Sequence, residues 1–254
     1  MPSRSVRGGS TRASCVVRNV AAEDWEQWHS LYDESPALQE RLILVREHIC
    51  GALLRQSAEP VHIISICAGD GRDVTGALAA SDRRKKVQAD LFESNAQLVA
   101  HGQAAVNHVH LNAEVTFHCA DATQSSTYRD LSRAHVVVLA GVFGNLKDED
   151  VPRLITSLKA LCHPGASVVW TRNLVEFDDG ERATQMIRDS FSAAEFKEEL
   201  LARTPRGVFA VATHSFRALS IRFRWTLACS CSRVSGTSRR RSANDRSWPD
   251  RSRW

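Results

Sequence analysis

The chain has 254 residues, of which 43% are hydrophobic and 24% charged, values that fit a globular protein and exclude a disordered or fibrous chain. No apolar run approaches the roughly 20 residues that span a bilayer, so we expect a cytoplasmic protein with no membrane contact. The net charge of +4 is uneven: residues 215–254 hold ten Arg, two Asp and no Lys or Glu, so residues 1–214 carry −4.

The N-terminal region predicts a flexible arm followed by two helices. Residues 1–20 contain arginines but lack the apolar run of a signal peptide, so we expect a loose arm. Ala21–Tyr32 and Pro36–Arg55 then have helical patterns, and we expect residues 21–58 to cover the functional site. Spacings of three and four place four side chains of the first helix on one face: Trp25, Trp28, His29 and Tyr32.

Strand-like and helix-like segments alternate through residues 59–216, which we expect to form the main domain. The predicted strands are Val61–Cys67, Val87–Glu93, Val115–Cys119, Ala134–Ala140, Ser167–Thr171, Phe196–Ala202 and Val208–Phe216. The predicted helices are Arg72–Ala80, Asn95–His108, Asp148–Leu161, which Pro164-Gly165 is expected to break, and Ala183–Ala193. This alternation predicts a doubly wound α/β fold with a largely parallel sheet. The last two strands must be antiparallel, because a parallel connection needs a longer crossover.

The last segment, residues 217–254, is rich in Arg and Ser and has no apolar periodicity. A solvated, disordered tail is one interpretation. A second is that the segment is not the native end of the fold, as after a shifted reading frame. A third is a nucleic-acid-binding tail, although charge alone gives only unspecific affinity. We expect no nucleic-acid partner except through this tail.

The seven cysteines are odd in number and lie mostly inside apolar runs, which favours free thiols in a reducing compartment. The close pair Cys229 and Cys231 has no second Cys or His pair at the spacing of a zinc site. We therefore predict no metal site.

The first predicted strand ends in a glycine-containing loop, Cys67–Asp73, that runs into a helix. Glycines let the backbone turn sharply and approach a ligand, and the helix that follows presents free N–H groups. A Gly-x-Gly loop between a buried strand and a helix is therefore a candidate site for a nucleotide-like ligand.

Two acidic residues stand at the ends of the next two strands. Glu93 lies about twenty residues beyond the loop, where an acid accepts hydrogen bonds from ribose hydroxyls; Asp90 and Asn95 are alternatives. Asp121 follows the third strand, where it can accept from the exocyclic amine of adenine or instead cap a helix near residues 124–131.

The loop, Glu93 and Asp121, in this order and at these strand ends, resemble the class I S-adenosylmethionine-dependent methyltransferases. The chain is similar to actinobacterial small-molecule members through the motifs CAGDGRD at Cys67–Asp73, AGVFGN at Ala140–Asn145 and WEQWHSLY at Trp25–Tyr32. The resemblance covers Trp25 to Phe216.

This resemblance implies a Rossmann-like seven-stranded sheet with an antiparallel last strand, and S-adenosylmethionine as the cofactor. The methionine portion would lie along the loop, the ribose on Glu93 and the adenine beside Asp121, with substrate entering above Gly141–Asn145. The implied cofactor-binding residues are Cys67, Ala68, Gly69, Asp70, Gly71, Asp73, Glu93, Asp121, Ala122 and Gly141.

Two positions depart from the family pattern. Ser65 stands where an acid is usual, and Cys67 stands at the first glycine, which is tolerable only if its φ angle is negative. A nicotinamide-dependent oxidoreductase is the rival within this architecture, but Val74 replaces the third glycine that it requires, and it assigns no role to Asp121.

Methyl transfer from a sulfonium needs alignment and exclusion of water more than a dedicated base. The sequence does not determine the catalytic residues: His29, Tyr32 and Asn145 are candidates, and each also has a structural interpretation. The run Gly141–Asn145 lacks the motif of enzymes that methylate exocyclic amines of nucleic-acid bases. We therefore expect a small-molecule methyl acceptor, with Trp25, Trp28 and Phe143 as candidate walls of its pocket.

Overall fold

The structure is a computed structural model that describes residues 32, 34–82, 86–111, 114–175 and 179–217. Most of the first predicted helix and the basic tail lie outside these residues. The helices are α1 (Pro36–Arg55), α2 (Arg72–Ala79), α3 (Ala96–His108), α4 (Val151–Leu161) and α5 (Gly180–Ala193). The strands are β1 (Val61–Ile66), β2 (Val87–Glu93), β3 (Val115–Cys119), β4 (Ala134–Leu139), β5 (Cys162–Asn173), β6 (Phe196–Arg203) and β7 (Phe209–Phe216).

The seven strands form one sheet in the order β3-β2-β1-β4-β5-β7-β6. Strands β1 to β5 pair in parallel, and β7 runs antiparallel to both of its neighbours. The predicted doubly wound sheet with an antiparallel last strand is therefore confirmed. The strand order reverses between β1 and β4, and in sheets of this kind ligands bind at the carboxyl edge of that switch point.

The two faces of the sheet bury separate apolar clusters. On one face, Ile49 of α1, Leu78 of α2 and Val106 of α3 pack against the sheet. On the other, Ile155 of α4 and Phe191 of α5 pack against it. Strands β1 and β4 are buried from both sides, which explains why their sequences are nearly continuous apolar runs.

Helix α1 packs across α2 next to the glycine-containing loop. Pro36 lies in its first turn, where a missing N–H costs nothing, and buried residues recur at helical spacing from Leu38 to Leu53. The guanidinium of Arg46 donates to the carbonyl oxygen of Arg72 at 2.9 Å, which ties α1 to the first turn of α2.

Three predicted starts were off by three residues or more: α5 begins at Gly180 rather than Ala183, and the other two starts lie next to each other, at α4 and β5. Helix α4 begins at Val151 rather than Asp148, because Pro152 fits the first turn of a helix. The helix ends at Leu161, so Pro164-Gly165 does not break it but lies inside β5, which begins at Cys162. Cys162 pairs with Ala134, and a register shift follows before Ser167 pairs with Val136, so the Pro-Gly pair is accommodated in an irregular stretch of strand.

Candidate functional site

The loop between β1 and α2 lies at the carboxyl edge of the sheet, beside the switch point. Gly71 precedes α2 with a φ of 68°. A Cβ on Gly71 would lie 2.5 Å from Cδ2 of Leu91 and 2.6 Å from Cζ of Phe117. Only glycine fits there, because both the left-handed backbone and the close approach of neighbouring side chains exclude a Cβ.

Cys67 adopts a φ of 52°, so the condition under which a Cys is tolerable at this position, a negative φ, is not met. A left-handed backbone is costly for a residue with a Cβ, and glycine is the residue that usually avoids this cost. The side chain of Cys67 is exposed at the loop. Partial desolvation of the thiol, together with the negative charges of Glu93 and Asp121, raises its pKa to about 11, so the thiol is protonated at neutral pH.

The carboxylate of Glu93 is bonded to the loop. Its Oε2 accepts a hydrogen bond from the amide of Gly69 at 2.9 Å, and its Oε1 accepts from the amide of Asn95 at 2.8 Å. The amide of Ala68 also donates to the carbonyl oxygen of Phe92 at 2.9 Å. These bonds bring the predicted methionine-binding and ribose-binding residues together at one edge.

The two alternatives to Glu93 have local partners instead. Oδ2 of Asp90 lies 2.7 Å from Nε2 of His62, and Oδ1 lies 2.6 Å from Nε2 of His118. Burial opposes ionisation of Asp90, but these two hydrogen bonds outweigh it and lower its pKa. Asn95 caps α3, because its Oδ1 accepts from the amide of Gln97 at 2.8 Å.

Asp121 lies next to Glu93 along the same edge, because the amide of Ala120 donates to the carbonyl oxygen of Glu93 at 3.0 Å. Oδ1 of Asp121 accepts from the amide of Thr123 at 2.9 Å and from its hydroxyl at 2.7 Å. The carboxylate therefore closes a turn, and the helix expected near residues 124–131 is a short 3₁₀ helix, Ser125–Tyr128. Ala122 is buried, and its carbonyl oxygen accepts from the hydroxyl of Tyr128 at 2.8 Å.

The two acids of the loop differ in their surroundings. Asp70 makes a forked ion pair with Arg72, with Nε of Arg72 at 2.9 Å from Oδ1 and 2.8 Å from Oδ2. Oδ1 of Asp73 is shielded from solvent and has no hydrogen-bond partner among the described residues. Burial raises the pKa of Asp73, although the nearby guanidinium of Arg41 opposes that rise.

On the other side of the switch point, the run after β4 forms a tight turn. The amide of Gly141 donates to Oγ1 of Thr171 at 2.8 Å, and Nδ2 of Asn145 donates to the carbonyl oxygen of Gly141 at 2.9 Å. Asn145 thus stabilises this turn. Phe143 is 2% exposed and contacts Trp170 edge to face, so it belongs to the core and does not line a substrate pocket.

Of the two candidate catalytic residues near the N-terminus, His29 lies outside the described residues, as do Trp25 and Trp28. Tyr32 is buried and packs with Leu38 and Phe209. The guanidinium carbon of Arg72 lies 4.6 Å from the centre of its ring, so Tyr32 is packed against the loop side of α2.

Arg41 was not among the predicted site residues. It lies on the buried face of α1, and both its Nε and Nη2 contact Oγ1 of Thr171 at 3.4 Å. Its signal in the sequence is a charged residue in helical register with Leu38 and Val45, at a position where an apolar side chain is expected. Burial lowers the pKa of Arg41, and the charge of Asp73 raises it.

Other features of the described chain lie away from this edge. Two surface cavities, of about 520 and 660 Å³, lie beside α5 and contain none of the predicted site residues. The residues with assigned positions include no group of three His, Cys, Asp or Glu side chains arranged to hold a metal ion. They also include no helix with the length and apolar character needed to cross a membrane.

The fold is shared with several solved methyltransferases. Magnesium protoporphyrin IX methyltransferase from Synechocystis PCC 6803, solved with bound S-adenosylhomocysteine, matches with a TM-score of 0.60 and 10% identity over 77% of this chain and 94% of that chain. The N-methyltransferase NodS from Bradyrhizobium japonicum WM9, also with S-adenosylhomocysteine, matches with a TM-score of 0.56 and 11% identity over 76% and 97%. An O-methyltransferase family protein from Burkholderia thailandensis matches with a TM-score of 0.58 and 12% identity over 76% and 60%.

These likenesses identify the Rossmann-like fold of class I methyltransferases. In sequence, residues 38–174 match the family described as "Putative methyltransferase", and the chain belongs to this methyltransferase family. A search of curated proteins found no match.

Proposed function

We propose that this protein transfers a methyl group from S-adenosylmethionine to a small molecule. The observation that carries the proposal is the joining of the loop, Glu93 and Asp121 at the switch point: Gly69 is bonded to Glu93, and Glu93 is bonded to Ala120 beside Asp121. Acidic side chains at these two strand ends suit a ribose and an adenine. The glycine-containing loop lets the backbone approach the remaining part of the cofactor, its methionine portion. The related structures that contain S-adenosylhomocysteine support the same cofactor.

A buried acceptor oxygen in the first turn of α2 also fits this cofactor. Oδ1 of Asp73 is a buried acceptor without a described donor, and it lies in the first turn of the helix that follows the loop. A cofactor with an ammonium group supplies such a donor. The protonated Cys67 thiol adds no further negative charge beside Glu93 and Asp121.

The chemistry is an in-line displacement for which S-adenosylmethionine supplies an electrophilic methyl carbon. The chain's own contribution is to bind, orient and exclude water. Glu93 and the loop hold one side of the site through the bond to Gly69, and Thr171 and Asn145 hold the turn at Gly141 on the other side. We propose that residues 21–58 cover this edge, with α1 as the described part of the cover.

We propose a small acceptor rather than a nucleic acid. Residues 1–214 carry a net charge of −4, which disfavours docking on a phosphate backbone. The turn after β4 reads Gly-Val-Phe-Gly-Asn, without the prolines of enzymes that methylate exocyclic base amines. Free cysteines at positions 50, 67, 119 and 162 fit a cytoplasmic location.

Isothermal titration of S-adenosylmethionine and S-adenosylhomocysteine into the purified full chain tests the proposal. We expect micromolar binding to the wild type and at least tenfold weaker binding to Glu93→Ala and to Asp121→Ala, since each lost hydrogen bond to a ligand costs about 1–3 kcal/mol. Glu149→Ala, an exposed acid beside α4, is the matched control and should bind as the wild type does. A folded wild type that binds neither compound would overturn the proposal.

A second candidate, a cofactor-binding protein without turnover, is favoured by the strained Cys67 and by Ser65 in place of an acid. Binding does not distinguish the two candidates, but turnover does. Transfer of a labelled methyl group from S-adenosylmethionine to a panel of phenols, carboxylic acids and amines identifies an enzyme. Tight binding with no transfer to any of them supports the second candidate.

A further inference from the structure

A series of hydrogen-bonded side chains begins at the opposite edge of the sheet from the glycine-containing loop. Ser132 stands just before β4, and its Oγ lies 3.3 Å from Nδ1 of His62, near the amino end of β1. Nε2 of His62 lies 2.7 Å from Oδ2 of Asp90 on β2. Oδ1 of Asp90 lies 2.6 Å from Nε2 of His118 on β3. A hydroxyl, an imidazole and a carboxylate are therefore linked in that order.

The roles of the two ring nitrogens of His62 follow from their neighbours. A carboxylate accepts hydrogen bonds and cannot donate them, so Nε2 of His62 carries a proton and donates to Asp90. In the neutral imidazole the other nitrogen, Nδ1, is then unprotonated and accepts the hydroxyl proton of Ser132. His62 is therefore placed to act as a base towards this serine.

Asp90 holds the imidazole of His62 in this state. Burial opposes ionisation of Asp90, but its hydrogen bonds to His62 and His118 outweigh burial and lower its pKa. An ionised carboxylate fixes the tautomer and orientation of the ring, and it stabilises the imidazolium that forms when the ring accepts a proton. The amide of His62 also donates to Nδ1 of His135 at 3.0 Å, which anchors the backbone that carries the base.

The hydroxyl is open to solvent, whereas the groups behind it are shielded. The side chain of His62 is 8% exposed and that of Asp90 is 19% exposed, but Ser132 is an exposed residue. A serine hydroxyl is a weak nucleophile until an adjacent base, itself oriented by a third group, takes its proton. Ser132 meets that requirement, and a small molecule in solution can reach it.

We propose that Ser132 is an activated nucleophile that accepts acyl groups from small activated esters, with His62 as its general base and Asp90 as a positioning residue. Oγ of Ser132 attacks the acyl carbonyl carbon while its proton moves to Nδ1 of His62. The bond from that carbon to the leaving oxygen breaks, the leaving group takes the proton from His62 and departs as an alcohol, and a serine ester remains.

Water hydrolyses the serine ester by the same steps in reverse order, which releases a carboxylic acid and restores the hydroxyl. This reaction needs no cofactor and takes place away from the candidate methyl-transfer site. It is therefore an activity beyond the proposed function, and the two stand or fall separately.

Two reagents test the proposal on the full chain. A fluorophosphonate forms a stable ester with an activated serine and releases fluoride, and mass spectrometry of the protein and its peptides counts and locates the adduct. p-Nitrophenyl acetate reports acylation as released p-nitrophenol. The variants are Ser132→Ala, His62→Gln and Asp90→Asn. Ser192→Ala, an exposed serine of α5, and His101→Gln, an exposed histidine of α3, are the matched controls.

We expect a single fluorophosphonate adduct on the wild type, located at Ser132, and no adduct on Ser132→Ala. His62→Gln should slow labelling and p-nitrophenol release about a hundredfold or more, the usual contribution of a general base. Asp90→Asn should slow both at least about tenfold, because an amide no longer holds the ring proton on Nε2. Asp90→Glu restores a carboxylate and should react faster than Asp90→Asn.

The two control variants should react like the wild type, and melting curves establish that each variant is folded. Calorimetry with S-adenosylmethionine should give the same affinity for Ser132→Ala as for the wild type, since this serine has no part in the proposed cofactor site.

The proposal is overturned if the folded wild type gains no adduct at Ser132, or if folded His62→Gln is labelled at the wild-type rate. Equal slowing by Asp90→Asn and Asp90→Glu would refute the positioning role of the carboxylate. If His62→Gln does not fold, the wild type still decides, because an activated Ser132 is labelled under conditions that leave the exposed Ser192 unmodified. Equal labelling of these two serines would mean that Ser132 is not activated.

Discussion

The amide of Gly69 donates a hydrogen bond of 2.9 Å to Oε2 of Glu93, and this bond joins the loop after β1 to the end of β2. Oε1 of the same carboxylate accepts from the amide of Asn95, at the start of α3. Glu93 therefore fixes the backbone on both sides of the edge at which we propose that it binds a ribose. Loop position and cofactor affinity should change together when Glu93 changes.

Glu93→Gln tests this coupling. An amide is neutral, and it retains one acceptor oxygen but replaces the other with a donor, so both backbone bonds lose the negative charge and one of them loses its acceptor. We expect the free energy of unfolding to fall by about 1–2 kcal/mol and S-adenosylmethionine to bind at least tenfold more weakly. Denaturant unfolding and calorimetry measure the two effects. Glu149→Gln, which is exposed, should change neither, and a Glu93→Gln protein with unaltered affinity would contradict the assigned role.

The left-handed backbone of Cys67 predicts a stabilising substitution. At a φ of 52°, a Cβ costs about 1–2 kcal/mol that glycine avoids. We expect Cys67→Gly to raise the free energy of unfolding by about 1 kcal/mol, after the greater entropy of glycine in the unfolded chain is subtracted. Cys119→Gly, in the extended strand β3, should lower it. If both glycines destabilise the fold alike, the backbone at Cys67 is not strained.

Much of the fold could be predicted because the apolar runs coincide with the observed strands and the turn residues coincide with the ends of these strands. Strand β1 is a buried run ended by the glycine loop, and its predicted and observed bounds differ by one residue. The start of β5 was missed for a physical reason. Pro164 and Gly165 are turn residues locally, but the pairing of Cys162 with Ala134 draws this stretch into the sheet. Pairing between distant segments leaves no local pattern.

The candidate site was predictable where it follows strand ends and hidden where it depends on tertiary contacts. The loop and Glu93 stand at recognisable positions in the chain. Arg41 does not, because its contact with Thr171 spans 130 residues of sequence. The conformation of Cys67 was equally hidden, since the residue type argues for a negative φ and the surrounding loop imposes a positive one.

Gly102 of α3 lies so close to its neighbours that there is no room for a methyl group at this position. A Cβ there would lie 2.3 Å from Cζ of Phe117 and 2.6 Å from the carbonyl oxygen of Asp70. We expect Gly102→Ala to destabilise the protein by about 1–3 kcal/mol through overpacking, and to weaken cofactor binding because it displaces the loop. Thermal unfolding and calorimetry measure both effects.

Gly51 of α1 is the matched control, because it is also a glycine inside a helix. Its added Cβ would lie 3.5 Å from Nη1 of Arg55, which is an ordinary contact with a flexible side chain. Gly51→Ala should therefore stabilise the protein by about 0.5–1 kcal/mol, the usual gain from replacing glycine within a helix. A stabilising Gly102→Ala would show that α3 does not press on the loop.

Two buried histidines predict that stability depends on pH. Burial lowers the pKa values of His48 and His214 to about 4 each. Nδ1 of His214 accepts a hydrogen bond from Nε1 of Trp170 at 3.1 Å, which requires that nitrogen to be unprotonated. In the unfolded chain a histidine has a pKa of about 6.5, so below that pH the unfolded state binds protons that the folded state does not.

The stabilisation from the two neutral histidines is therefore complete above pH 6.5 and is lost as the pH falls towards 4. Each residue contributes a slope of up to about 1.4 kcal/mol per pH unit in this window. His214→Asn keeps an acceptor for Trp170 but does not titrate, so it should reduce the slope measured by denaturant unfolding between pH 7 and pH 4.5. His108→Asn, at the exposed end of α3, is the matched control for the substitution. An equal slope in wild type and His214→Asn would mean that His214 takes up its proton as readily in the folded protein as in the unfolded chain, and the bond from Trp170 would then have to break as the pH falls.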